Sequence, residues 1–139
     1  MEARRETNQD LINRIANSAA VRPFVCYRDG PMDWSPAIEG CIVLSCGDDA
    51  VGVFEQTHPG VFQTHTMFGP TCRGRRAIEA ARAMIDWMIP QHAVAIWGAT
   101  PVVNRAARWF NRQLGAVSIG FDDFEAEGQV EIFLLRRLH

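Results

Sequence analysis

Apolar residues recur along this chain with two periods, and the switches between them divide it into elements. Leu11, Ile12, Ile15, Ala16 and Ala19 fall at helical spacing behind the polar run Thr7-Asn8-Gln9-Asp10. Such side chains accept from the free N–H groups of a first turn, so an amphipathic helix is predicted here. From 22 to 40 the pattern dissolves, because Pro23, Gly30, Pro31 and Pro36 interrupt every window. An irregular stretch able to cover a site is expected. Three β-like runs follow, 41–46, 51–56 and 61–68, parted by Gly47-Asp48-Asp49 and His58-Pro59-Gly60. These turn compositions predict an antiparallel meander.

The helical period returns after Gly69-Pro70-Thr71-Cys72-Arg73-Gly74. Ile78, Ala81, Ile85, Met88 and Ile89 share one face, while Arg75, Glu79, Arg82 and Asp86 fall mostly elsewhere. Pro90 stops this helix, and the Ala, Val and Ile of 92–97 predict a buried strand. Thr100-Pro101 reads as the N-cap and first-turn proline of a further helix, with Val103, Ala107, Phe110 and Leu114 on its stripe and Gly115 at its end. Runs 116–121 and 129–136, around an acidic turn at 122–128, predict a closing hairpin. The order of elements is that of an α/β domain without internal repeats.

Composition narrows the function classes. With 139 residues, 47% apolar and 22% charged, the chain fits one domain spanning 1–139 around a single core. No apolar stretch approaches the ~20 residues that cross a bilayer, which argues against a membrane protein. Glu2, Arg4, Arg5, Glu6 and Asp10 leave no apolar segment for a secretory signal, so a cytoplasmic location with reduced thiols is expected. Cys26, Cys41, Cys46 and Cys72 form no Cys-x-x-Cys pair, and small buried thiols are expected in place of a metal site. The net charge of −2 argues against a nucleic-acid partner. Trp87, Trp97 and Trp109 lie in predicted helices and a strand, where core or interface packing accounts for them.

Chemistry concentrates at Arg73-Gly74-Arg75-Arg76, where a strand meets a helix. A helix start exposes unpaired N–H groups and partial positive charge, and arginines crowded there repel one another until an anion arrives. Gly74 lets backbone approach that anion. Taken alone, the cluster reads equally as a solvated basic helix start or as a phosphate-binding turn.

The element order, with a helix, a meander, a helix, a strand, a helix and a hairpin, resembles the GNAT superfamily of acyl-coenzyme A-dependent N-acyltransferases over nearly the whole chain. In that family a strand leads into Gln/Arg-x-x-Gly-x-Gly/Ala, and here Phe68-Gly69-Pro70-Thr71-Cys72-Arg73-Gly74-Arg75-Arg76-Ala77-Ile78 occupies that place. Arg73 fits the first position, whereas Arg76 and Ile78 stand where the family has Gly and Gly/Ala. A second signature, Asn-x-x-Ala-x-x-x-Tyr-x-x-x-Gly-Phe, is matched in register by Asn104, Ala107, Asn111, Gly115 and Ala116. The resemblance implies a central mixed, mostly antiparallel sheet of six to seven strands flanked by three to four helices. It further implies acetyl-CoA as co-substrate, an amine acceptor that the sequence does not specify, and no metal. The cofactor residues it implies are Met67, Phe68, Arg73, Gly74, Arg75, Arg76, Ala77 and Asn104.

Asn111 stands where many relatives carry the tyrosine that protonates the departing thiolate. Asn111 has no acid to offer, although a thiolate of pKa ~8.5 leaves tolerably well without one. The chain's single tyrosine, Tyr27, lies in the irregular stretch, where packing is the plainer role. Candidates for a base on the acceptor are Glu55, His58 and His65 in the meander. Each has a plainer role, Glu55 as an exposed strand end, His58 as a turn residue and His65 as a solvent-facing strand residue, and His65 is the better candidate of the three. The run Ile132-Phe133-Leu134-Leu135 serves equally for core packing or for a homodimer through the last strands. The segments from Leu114 to Val117 and from Gly128 to Phe133 resemble the C-terminal end of GNAT-like proteins of tailed phages. Two functions therefore stand at this stage. One is an acyl-CoA-dependent N-acetyltransferase acting by direct attack. The other is a non-catalytic GNAT-fold virion or assembly component that binds phage structural proteins, in a host cytoplasm or a virion.

Overall fold

A computed structural model describes residues 1–25 and 30–136, so Cys26 and Tyr27 lie outside the described residues. The chain runs β1 (Ala3–Arg5), α1 (Gln9–Ala16), α2 (Arg22–Val25), α3 (Ser35–Gly40), β2 (Ile42–Cys46), β3 (Ala50–His58), β4 (Val61–Phe68), α4 (Arg75–Met88), β5 (Ala95–Pro101), α5 (Arg105–Gln113), β6 (Val117–Phe124) and β7 (Gly128–Arg136). The strands form one seven-stranded sheet in the order β1-β2-β3-β4-β5-β7-β6. Every neighbouring pair is antiparallel except β4 and β5, which run parallel. The fold class and strand number agree with the sequence reading.

Period-two alternation assigns each strand residue to one of two cores. On one face, Leu44, Phe54, Phe62 and Ile96 pack against Ala77, Ala80, Met84 and Met88 of α4. On the other, Val43, Val51, Val53 and Met67 pack against Ile12, Ile15 and Ala16 of α1, with Trp34 and Ile38 beside them. Phe54, Met84, Met88 and Ile96 are at most 1% exposed, and each contributes roughly 1.5–3 kcal/mol through burial. Asn8 caps α1, its side-chain oxygen accepting from Asp10 and Leu11 N–H at 3.0 and 3.3 Å.

Several expectations are corrected. The helix α1 ends at Ala16, leaving Ala19 outside it, and the 22–40 stretch holds two short helices. Strand β1 was not expected, because Ala-Arg-Arg is too short to show alternation; as a short charged edge strand it resists further pairing. Strand β5 runs from Ala95 to Pro101 and not over 92–97 as expected, because His92 and Ala93 N–H turn back to Met88 carbonyl in the loop after α4. Thr100 and Pro101 therefore end a strand and do not cap α5; Asn104 does, its Oδ1 accepting from Ala107 N–H at 3.1 Å. Val103 precedes that helix and is 85% exposed, so it drops from the apolar stripe. The acidic segment is mostly strand, with Asp122 facing Val130 and Asp123 facing Gln129. Trp109 is 56% exposed, not packed in a core. Phe133 is buried on β7, a strand enclosed between β5 and β6.

Candidate active site

The parallel pair β4 and β5 is joined only at Val61↔Ala95, Phe62↔Ile96 and Gln63↔Trp97. Beyond that point β4 stays with β3 as far as Phe68, and β5 stays with β7 as far as Pro101. The strands diverge, and the backbone groups along their facing edges lose ladder partners. Groups of that kind are strong donors and acceptors that require a partner, which makes the opening a place for an extended polar ligand.

A groove of about 460 Å³ occupies this opening. It is walled by Thr64 to Phe68 of β4, Gly98 to Pro101 of β5, Gly74 just before α4 and Ala77 on it, and Asn104, Trp109 and Asn111 at or on α5. The rings of Phe68 and Phe110 meet across it, 5.3 Å apart. Of the residues expected at a cofactor, the groove brings together Met67, Phe68, Arg73, Gly74, Ala77 and Asn104. The side chains of Arg75 and Arg76 are exposed and stand outside its lining.

At the groove's mouth α4 starts without a side-chain cap and without an acidic residue in its first turn. Its first internal bond is Ile78 N–H to Gly74 carbonyl, 3.2 Å, so the N–H groups of Arg75, Arg76 and Ala77 precede the helical ladder. Gly74 takes φ +59° and ψ −127°, a left-handed conformation that L side chains rarely adopt. The start therefore presents unpaired N–H groups and partial positive charge at the groove's mouth. Arg73 turns aside to donate to Ala20 carbonyl at 2.9 Å, tying the loop to the chain after α1.

The loop before α4 is shaped by Asp49, a residue read in the sequence only as turn composition. Asp49 is 7% exposed, and its Oδ2 accepts from both the N–H and the hydroxyl of Thr71 at 2.7 Å. Its carbonyl accepts Gly69 N–H at 2.8 Å. A Cβ at Gly69 would lie 1.9 Å from Asp49 Oδ1, so only glycine fits there. On the opposite side Glu131, 2% exposed, takes Arg108 Nε at 2.8 Å and Arg112 Nη2 at 3.0 Å, clamping α5 onto β7. Burial alone would push that carboxyl up; hydrogen bonds from Arg108 and Ser118 and the charges of Arg112 and Arg108 outweigh it and hold it below the usual carboxylate range.

His65 lines the groove on the α1 side, its ring 6.0 Å from that of Trp34 in an edge arrangement. Half-buried, it departs from the solvent-facing reading. Burial lowers its pKa below the usual imidazole range, against the opposing charges of Glu55 and Glu127, which favours the neutral ring. Glu55 is exposed and outside the groove, and His58, expected in the turn, is the exposed last residue of β3, paired with Val61. Asn111 Nδ2 donates to Thr100 Oγ1 at 2.9 Å, fixing both side chains at the groove wall. Thr64, Thr100 and Trp109 escaped the sequence reading, because nothing marks a strand threonine or a helix tryptophan until the sheet opens beside it. Among the described residues no group of His, Cys, Asp or Glu is arranged to hold a metal, and no helix is long and apolar enough to cross a membrane.

No protein-family model matches the sequence, and no curated protein matches it. Solved structures do. Aminoglycoside acetyltransferase AAC(6')-Ib, in complex with coenzyme A and kanamycin, superimposes with a TM-score of 0.79 at 13% identity, covering 98% of this chain and 94% of that one. An N-acetyltransferase from Staphylococcus aureus gives 0.76 at 15% identity, covering 97% and 96%. A ribosomal-protein-S5-alanine acetyltransferase from Vibrio fischeri gives 0.74 at 15% identity, covering 96% and 91%. From end to end, then, this chain has the fold of the GNAT acetyltransferases.

Proposed function

We propose that the protein is an acyl-CoA-dependent N-acyltransferase that transfers an acetyl group to an amine by direct attack. The observation that carries this reading is the divergence of β4 from β5 in front of the uncapped start of α4. An anionic pyrophosphate fits the N–H groups of Arg75, Arg76 and Ala77, with Gly74 allowing close approach and the nearby guanidinium groups adding charge. An extended amide-bearing arm fits the unpaired edges along Met67 and Phe68, reaching Asn104 and Ala107 on the other wall. Solved relatives of the same fold are acetyltransferases, one of them in complex with coenzyme A and kanamycin.

In the reaction the amine lone pair attacks the thioester carbonyl carbon. The C–N bond forms, the C–S bond breaks, and sulfur leaves with its bonding pair as a thiolate. The amine must give up a proton, and neutral His65 is the group lining the groove that can take it; Glu55, outside the lining, is the lesser candidate. Asn111 supplies no proton, so the thiolate is protonated by solvent, at a cost in rate that a pKa of ~8.5 keeps modest. The acceptor reaches the site from the side of His65 and Trp34.

Calorimetric titration with acetyl-CoA tests this first. Binding in the range of about 1 µM to 1 mM is expected, weakened by Arg76→Glu, which sets a negative charge beside the helix start. Thiol release over an amine panel follows. No heat and no thermal shift at millimolar acetyl-CoA would end the cofactor claim and leave the non-catalytic reading of the fold. Binding without release above background for any amine would leave a binding module.

A further inference from the structure

One buried polar atom at the inner end of the groove has no partner. Thr64 Oγ1 is shielded from solvent and makes no hydrogen bond. An unsatisfied buried hydroxyl is destabilising, and such groups in folded proteins call for an explanation. Thr64 is the first β4 residue beyond the last β4–β5 pair, Gln63↔Trp97. It faces Gly98, where an added Cβ would sit 3.7 Å from Thr64 Cγ2, so the opposite wall is kept to backbone.

Thr64 also lines a second, smaller cavity of about 40 Å³, which shares Thr64, Thr66, Gly98, Phe110 and Asn111 with the groove. Its remaining wall is apolar, supplied by residues such as Phe54, Met84, Ile85, Leu114 and Phe133. A ligand passing from groove to cavity meets a hydroxyl at the threshold and hydrocarbon behind it. That sequence of surfaces fits a carbonyl followed by an alkyl chain. It does not fit a chain ending in a carboxylate, which would bring an unpaired charge into the apolar end. One water-sized group needs roughly 10–15 Å³ on this measure, so about three carbons fit beyond the carbonyl.

We propose that Thr64 and the cavity behind it select the acyl group: the hydroxyl donates to the thioester carbonyl oxygen, and the cavity admits saturated chains up to butyryl. This rests on the acyl-CoA reading above, and it extends the acyl donors beyond acetyl.

Binding of a series of coenzyme A derivatives to the full chain, measured by calorimetry, tests it. Affinity should rise about fourfold per methylene from acetyl to butyryl and then fall at least about tenfold at hexanoyl. Succinyl-CoA should bind at least about tenfold more weakly than butyryl-CoA. S-ethyl-CoA, which lacks the carbonyl, should bind about fivefold more weakly than acetyl-CoA, the net worth of a neutral hydrogen bond. Thr64→Val should erase that last difference without lowering thermal stability, since it removes an unsatisfied hydroxyl, and Thr64→Ser should restore it. Gly98→Ala, whose new methyl makes only ordinary contact, should narrow the threshold and weaken butyryl-CoA more than acetyl-CoA. Failure of every derivative to bind, coenzyme A included, overturns the function reading itself. Normal binding of coenzyme A with hexanoyl as tight as butyryl, or with a Thr64→Val ratio unchanged, overturns this inference alone.

Discussion

Asp49 and Gly69 form a coupled pair whose interaction can be measured. Asp49→Ala removes the acceptor of both Thr71 donors, each 2.7 Å from Oδ2. Hydrogen bonds to a charged group are worth about 1.5–3 kcal/mol each, but Thr71 is exposed and water replaces part of them, so a loss of about 3 kcal/mol is expected. The Arg14 ion pair, 3.6 Å from Oδ1 with Arg14 more than half exposed, adds at most about 0.5 kcal/mol. For a chain of this length the melting temperature should fall by about 10 °C. Gly69→Ala reaches the same end by another route, because the three atoms nearest its new Cβ, at 1.9, 2.2 and 2.4 Å, all belong to the Asp49 carboxylate group. That group must swing away and release Thr71, again at about 3 kcal/mol. Once Asp49 is alanine, the methyl at 69 has no carboxylate to displace. Urea unfolding of the single and double variants should therefore give a double variant near about 3 kcal/mol, a coupling of about 3 kcal/mol. A double variant within about 0.5 kcal/mol of the sum of the singles would refute the account of this loop.

Other consequences follow from the site's electrostatics and backbone. Glu131→Gln keeps the shape but leaves Arg108 and Arg112 without their buried partner, and should cost about 3 kcal/mol near neutral pH by chemical denaturation. Because the Glu131 carboxyl is held below its ordinary 4.5, its stabilisation is complete above that value and is lost as pH falls through the lowered one, so the wild-type advantage should shrink in acid. The His65 imidazole should titrate below 6.5 by NMR, and Glu55→Gln should lower it further, since the Glu55 charge opposes the effect of burial. A titration above 6.5 would contradict its burial. If anion binding at α4 depends on backbone more than on side chains, Gly74→Ala should weaken acetyl-CoA by tenfold or more through roughly 1–3 kcal/mol of backbone strain. Arg76→Ala should weaken it only a few-fold, by an amount that added salt abolishes, as expected for exposed charge. The reverse ranking would return the site to its guanidinium groups.

The long periodic elements were legible in the sequence because each signal repeats. The apolar face of α4 recurs over 14 residues, and β4 spans 61–68 as its composition implied. Errors fell where a signal occurs once. Thr100-Pro101 has the composition of a helix start, yet β7 offers partners to the end, Thr100 facing Glu131 and Pro101 facing Val130. A proline closing a strand loses no ladder bond that matters, so pairing overrides the local preference. Asp49 was hidden for a related reason: in sequence it belongs to a hairpin turn, and only the fold sets it under a loop 22 residues away.

The Arg73 to Arg76 cluster shows how far electrostatic reasoning alone reaches. It pointed to the start of α4, which the structure leaves without a side-chain cap beside the groove, on the ground that like charges at a positive helix start call for an anion. Arg73 lines the groove with one guanidinium nitrogen tied to Ala20 carbonyl, and Arg75 and Arg76 stand outside the lining, so much of what faces the opening is the main chain at Gly74 and the N–H groups behind it. The same holds along the rest of the groove. Its polar character comes from strand edges left over where the β4–β5 ladder stops at Gln63↔Trp97, and an unpaired edge has no signature in residue identity. A site built chiefly from backbone tolerates wide change in its side chains. That explains how two family positions can read Arg76 and Ile78 in place of small residues while the sheet still opens in front of a bare helix start. The same tolerance accords with a fold held in common with solved structures at only 11–15% identity.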